Sequence, residues 1–195
     1  MTVLDQAIAF ATKAHEGQKR KYGNIPYILH PLEVASIIAT MTDDIEVMAA
    51  GVLHDTIEDC GVEASALRSQ FGDRVTDLVL SETEESHNEE DACASWMRRK
   101  EGSLRVLAAS EDRGVKILWL ADKLANVRAF VRETEASGLS PWRCLHQSDP
   151  AKQQWYYETI ASLTAELSDT FAYREFIGHL GTLFGKTSIC KEHTK

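Results

Sequence analysis

The sequence lacks several features that would have fixed its class at once. Its four cysteines, Cys60, Cys93, Cys144 and Cys190, are scattered, with no C-x-x-C pair. That spacing excludes a zinc–thiolate site and a disulfide framework, and reads as free thiols in a reducing compartment. No stretch approaches the roughly 18 apolar residues needed to span a bilayer. The opening residues, MTVLDQAIAFATKAHEGQ, contain no basic segment followed by an unbroken apolar run, so no signal peptide is expected. Basic charge is also short. Thirty acidic against 21 basic residues leave a net charge of −9, which argues against a nucleic-acid polymer as partner. A small anionic ligand held by a local basic cluster stays open. Gly-rich phosphate loops of the G-x-G-x-x-G or G-x-x-x-x-G-K-[ST] type are missing. So are period-2 alternation, internal repeats and any βαβ rhythm. An all-α, cytoplasmic protein is the expectation.

Helical periodicity is what is present. Val3, Leu4, Ala7, Ile8, Ala11 and Ala14 mark a first helix with Thr2 as N-cap. A polar, basic loop with Gly17, Gly23 and Pro26 precedes a second helix, opened by Pro31. A third is predicted from near Asp44 to Gly61, and a fourth through Leu67 and Phe71 to a C-cap at Gly72. Val75, Leu78 and Val79 start a fifth. The acidic stretch 82–91, ETEESHNEED, reads as a solvated loop or helix edge. Further helices are predicted over about Trp96–Leu107, Val115–Glu133 and Lys152–Leu167. With 44% hydrophobic residues, the length suits one domain over 1–184, followed by a polar tail at 185–195.

The chemistry concentrates in AAGVLHDTIED, residues 49–59. On a helix, residues three and four apart share a face, so His54, Asp55, Glu58 and Asp59 form one polar stripe. Three carboxylates that close repel one another. The stripe is therefore either a solvent-washed acidic edge or a cation site. His30 lies directly before Pro31, and Asp122 sits among Leu118, Trp119, Leu120, Ala121 and Leu124, where an acid needs a partner. Together His30, His54, Asp55 and Asp122 offer two imidazoles and two carboxylates. A mixed N/O set without thiolate suits an octahedral divalent ion, Mn²⁺ first, with Fe²⁺, Zn²⁺ or Ni²⁺ as possible occupants. Lys19-Arg20-Lys21 is either a solvated basic turn or a phosphate clamp. Asn126, four residues after Asp122, is placed to meet a ribose or base. Arg98, Arg99 and Lys100 read as surface charge.

The runs AHEGQKRKYGNIPYILHPLEVA, AAGVLHDTIED and LADKLANVR, in that order, resemble the HD hydrolase domain of RelA/SpoT proteins. The likeness is strongest to stand-alone small alarmone hydrolases, including the metazoan SpoT homologue. It covers roughly residues 3–167. It implies an HD-domain helical bundle without a synthetase domain. It also implies Mn²⁺ on His30, His54, Asp55 and Asp122, with Glu58 and Asp59 beside the catalytic water and Arg20, Lys21 and Asn126 on the nucleotide. The implied reaction removes pyrophosphate from the 3′ position of ppGpp or pppGpp, nucleotides of the stringent response, leaving GDP or GTP. The alternatives are another nucleotide as substrate (NADPH through its 2′-phosphate, a nucleoside monophosphate or a dNTP) and a non-catalytic alarmone sensor. Ala125, Ala129 and the acidic 82–91 stretch depart from the family's pattern.

Overall fold

A computed structural model describes residues 1–21, 23–84 and 92–185. Ten α-helices appear among them: α1 (Val3–Ala14), α2 (Leu29–Ile38), α3 (Ile45–Leu53), α4 (Thr56–Cys60), α5 (Ala64–Phe71), α6 (Asp73–Glu82), α7 (Trp96–Ala109), α8 (Arg113–Ser137), α9 (Pro150–Leu163) and α10 (Phe171–Phe184). Two 3₁₀ turns, Pro141–Cys144 and Ala165–Leu167, complete the set. There is no strand among the described residues, only an isolated bridge between Lys19 and Pro26. The all-α expectation holds.

Local chemistry explains the boundaries. Thr2 caps α1 in a reciprocal box: its hydroxyl accepts from the Asp5 N–H, and the Asp5 carboxylate accepts from the Thr2 N–H at 2.8 Å. Asp44 caps α3 by accepting from the Glu46 N–H at 3.0 Å. Gly72, at φ +85°, separates α5 from α6.

Helix α8 is the axis of the bundle. It packs against α2, α3, α6, α7, α9 and α10, and Ile117, Leu118, Trp119, Leu120, Ala121, Leu124 and Val127 are all buried. Such all-round burial is why its apolar residues form a near-continuous run instead of one stripe. The α2–α3 crossing is a close approach, because a Cβ on Gly51 would collide with the end of Ile38 and press on Val34.

Four expectations need correction. Helix α2 starts at Leu29, so Pro31 sits inside its first turn. The segment from Asp44 to Gly61 is two helices. His54 Nδ1 donates to the Gly51 carbonyl at 2.8 Å and the Thr56 hydroxyl to the Leu53 carbonyl at 2.7 Å. These side chains satisfy the carbonyls that end α3, and the chain turns at His54–Asp55 before α4. The predicted helix over Lys152–Leu167 ends at Leu163, and α10 is an additional helix that the periodicity did not reveal. Finally, Glu82 is buried in the last turn of α6, so the acidic stretch does not begin as a solvated edge. Its remainder, 85–91, and the tail from 186 lie outside the described residues, as does Cys190.

Replacing Gly51 with valine should cost about 1–3 kcal/mol, the usual range for overpacking a tight core contact. The midpoint of urea unfolding checks it.

Candidate metal centre and anion cavity

Three elements bring the predicted ligands together. His30 comes from the first turn of α2, His54 and Asp55 from the α3–α4 junction, and Asp122 from the middle of α8. His30 Nε2 lies 2.9 Å from Asp122 Oδ1 and 3.7 Å from Asp55 Oδ2. His54 Nε2 lies 2.9 Å from Asp55 Oδ2 and 3.6 Å from Asp122 Oδ1. One ligand atom each from His30, His54 and Asp122 falls within 4.8 Å of the others. His30, His54 and Asp122 are buried.

Burial works against a charged His54, yet Asp55 and Asp122 outweigh it and hold the imidazolium well above its ordinary pKa. Burial lowers His30, with Arg20 and His54 adding to the effect and Asp122 opposing it. Asp122 is held well below the usual carboxylate range, burial opposing and Lys123 and the two histidines prevailing. Still, His54 Nε2 has no hydrogen-bond partner among the described residues. A buried nitrogen aimed at two carboxylates, its Nδ1 committed to a carbonyl, is the donor set a divalent cation requires. The residues fit such an ion.

A supporting layer surrounds the four. The Tyr27 hydroxyl donates to Asp55 Oδ2 at 2.6 Å. Asn126 Nδ2 donates to Asp122 Oδ1 at 2.8 Å, and its oxygen accepts from Arg20 Nη2 at 3.1 Å. Both ends of the Asn126 amide are thus engaged by protein, which makes it a strut between Arg20 and Asp122. Lys123 bridges Asp122 Oδ2 and Glu82 Oε1. Burial pushes the Glu82 carboxyl up to about 8, with Lys123 opposing and Asp122 reinforcing the rise.

All of these groups except His54 line a cavity of about 490 Å³. Glu58 and Asp59 stand on α4 at its edge. The protein wall displaces part of their water, and like charges (Glu84 and Asp55 beside Glu58, Asp55 beside Asp59) add to the effect, so both carboxyls are raised. Lys19, Arg20 and Lys21 enter from the loop before α2, which is folded back by Arg20 N–H donating to the Ile25 carbonyl at 2.9 Å. Arg20 also lies over the Tyr27 ring, 5.6 Å from its centre. Arg98 is exposed, but Arg99 and Lys100 are not surface charges. They turn inward and pair with Glu84, because the same turn of α7 that buries Trp96 faces the cavity. Periodicity alone could not orient α7 without its partners. Tyr27, Glu82, Glu84, Lys100 and Lys123 were therefore missed; an ionisable residue directly after Asp122 was the available signal for Lys123.

The sequence profile of the HD domain matches residues 7–140. The chain belongs to the HD-domain family. Over 131 residues it is 40% identical to the guanosine-3′,5′-bis(diphosphate) 3′-pyrophosphohydrolase of Vibrio cholerae, a match covering 65% of this chain and 18% of that protein. The match thus spans under a fifth of that relative's length. Among solved structures, lmo0812 from Listeria monocytogenes superposes with a TM-score of 0.69 at 29% identity, covering 80% of this chain and 99% of that one. A metazoan SpoT orthologue that hydrolyses ppGpp gives a TM-score of 0.70 at 20% identity, covering 93% and 95%. That likeness establishes the shared helical fold. The HD-domain match stops before α9 and α10. No helix among the described residues is long and apolar enough to cross a membrane.

Two outcomes are expected. Tyr27→Phe removes the donor to Asp55 and should weaken divalent-cation binding by about tenfold, the lower end for loss of an outer partner; isothermal titration measures it. Because His54 is protonated well above its ordinary pKa in the metal-free centre, a cation must displace that proton. Affinity should therefore rise with pH above the ordinary histidine value, with proton release detected by repeating the titration in buffers of different ionisation enthalpy.

Proposed function

We propose that this HD domain hydrolyses the 3′-diphosphate of guanosine alarmones, releasing pyrophosphate and leaving GDP or GTP, with Mn²⁺ on His30, His54, Asp55 and Asp122. One observation carries the reading. His30, Asp55 and Asp122 of the centre, the Glu58–Asp59 pair and five cations (Lys19, Arg20, Lys21, Lys100 and Lys123) line a single cavity among the described residues, with His54 buried behind Asp55 and Asp122. The Vibrio cholerae 3′-pyrophosphohydrolase and the ppGpp-hydrolysing metazoan orthologue point to the same substrate. The continuous core from α1 to α10 supports one catalytic unit over 1–184.

When bound, the divalent ion supplies a water of lowered pKa and a counter-charge for the phosphoryl oxygens. The chain's own residues do the rest. Asp59, or Glu58 beside it, takes the proton of the attacking water, and their raised pKa values bring them nearer the operating pH of a general base. The water oxygen bonds to phosphorus as the bond from phosphorus to the 3′ oxygen breaks. The 3′ oxygen leaves with the bonding pair and takes a proton from solvent. Arg20 and Lys21 offset the charge that develops on the phosphoryl oxygens. Asn126 and Tyr27 fix the carboxylates on which this geometry depends.

A substrate panel with Mn²⁺ tests the reading: ppGpp, pppGpp, NADPH, a nucleoside monophosphate and a dNTP, scored for pyrophosphate against orthophosphate. Pyrophosphate from the guanosine 3′-diphosphates is the expected result. Orthophosphate from NADPH alone would replace the substrate, and tight alarmone binding without turnover would make the protein a sensor. Asp55→Ala should abolish cation binding and turnover together. Asp59→Asn should keep the cation and lose turnover by about 10²–10⁴-fold, the contribution expected of a positioned base; full activity in that variant at saturating Mn²⁺ would remove Asp59 from the role.

A further inference from the structure

The basic residues of the cavity are not equally available to an incoming anion. Lys100 and Arg99 share one partner, the Glu84 carboxylate, which forms an ion pair with each. The Glu84 side chain is 9% exposed, and those of Arg99 and Lys100 are each 19% exposed. Glu84 and Lys100 both line the cavity that holds the metal centre, and Lys100 also reaches the adjoining space of about 250 Å³ with Arg99, Trp96 and Tyr156. Lys100 Nζ is 4.9 Å from the centre of the Tyr156 ring, so its stem and head are held on that wall. Arg20 differs, since among the described residues its terminal nitrogen meets only the neutral Asn126 oxygen.

A carboxylate therefore already occupies the two cations that a second phosphoryl group would seek. We propose that Glu84 is a specificity-determining residue: a resident counter-ion that sets how much phosphoryl charge the cavity accepts. An anion using Lys100 or Arg99 must displace Glu84 or share the cations with it, and the extra negative charge disfavours sharing. The penalty falls on a diphosphate more than on a single phosphate, because the longer group carries more charge and extends further along the cavity that the centre and Lys100 both line. The Glu84 N–H donates to Glu58 Oε2 at 3.3 Å. Displacing Glu84 therefore shifts a partner of the catalytic pair as well. The substrate consequence rests on the hydrolase reading, but the electrostatic competition itself is independent of turnover.

The test is isothermal titration of the full chain with inorganic pyrophosphate, and separately with orthophosphate, without added divalent cation. Glu84→Gln should bind pyrophosphate about tenfold more tightly than the parent, the scale of one removed competing charge in a partly screened site. The gain for orthophosphate should be smaller. It should vanish in Glu84→Gln/Lys100→Met, while Glu101→Gln on the exposed side of α7 should change neither affinity. Glu84→Asn carries the same test if the glutamine variant fails to fold. Unchanged or weaker pyrophosphate binding in the folded variant overturns the proposal, because Glu84 would then only orient Lys100. A gain that survives loss of Lys100 overturns it too. In turnover, KM for a 3′-diphosphate nucleotide should fall in Glu84→Gln. If the panel shows no hydrolysis while pyrophosphate binding still tightens, the hydrolase reading fails and the counter-ion role of Glu84 stands.

Discussion

Two carboxylates, Asp55 and Asp122, meet across two imidazoles in the interior of a helical bundle, and the architecture of the site follows from that enforced proximity. Leaving such a charge unpaired in a low-dielectric interior costs roughly several kcal/mol per ion. His54 offsets part of this cost, which is why its imidazolium is held well above its ordinary value, whereas burial lowers His30. The offset is incomplete, since a buried His54 nitrogen still lacks hydrogen-bonding geometry. A divalent cation would compensate both acids at once and displace the histidine proton.

The scaffold keeps this arrangement from relaxing. The Gly51 carbonyl orients His54, and the absence of a Cβ at Gly51 lets α2 come close enough to bring His30 alongside. Further along α8, Arg128 grips Glu175 of α10 through two bonds of 2.7 Å and Glu33 of α2 through one of 3.1 Å. A planar guanidinium with two carboxylates is a directional link. It ties α2 and α10 to the helix that carries Asp122, so the ligands from α2 and α8 share one rigid frame. On the opposite wall, Trp119 donates to the Ser81 carbonyl at 3.2 Å and sets the end of α6, where Glu82 enters the cavity.

The cavity is almost balanced in charge. Five cations face six carboxylates among the described lining residues. An anionic ligand would be attracted only through the uneven placement of these charges and any cation that the centre could hold. Among the described residues, the basic loop carrying Arg20 and Lys21 presents charge that is not cancelled by direct carboxylate contact, whereas Lys123 and Lys100 are each engaged by a neighbouring acid. Position, more than net charge, decides what the site can bind.

The sequence by itself determined the helical class, most helix positions and the chemistry of the centre. Those features are local: capping residues such as Thr2 and Asp44, the 3.6-residue spacing of apolar groups, and polar residues placed where burial would be costly. His30, His54, Asp55 and Asp122 were legible because each stands out against its own few neighbours. Only the tertiary structure decided that α3 and α4 are separate, that Arg99 and Lys100 face inward, and that Glu82 and Glu84 are internal counter-ions. The physical reason is that a charged side chain's surroundings come from other elements. Nothing within α7 tells Lys100 that Glu84 and Tyr156 will pack against it, and nothing around Lys123 announces Glu82.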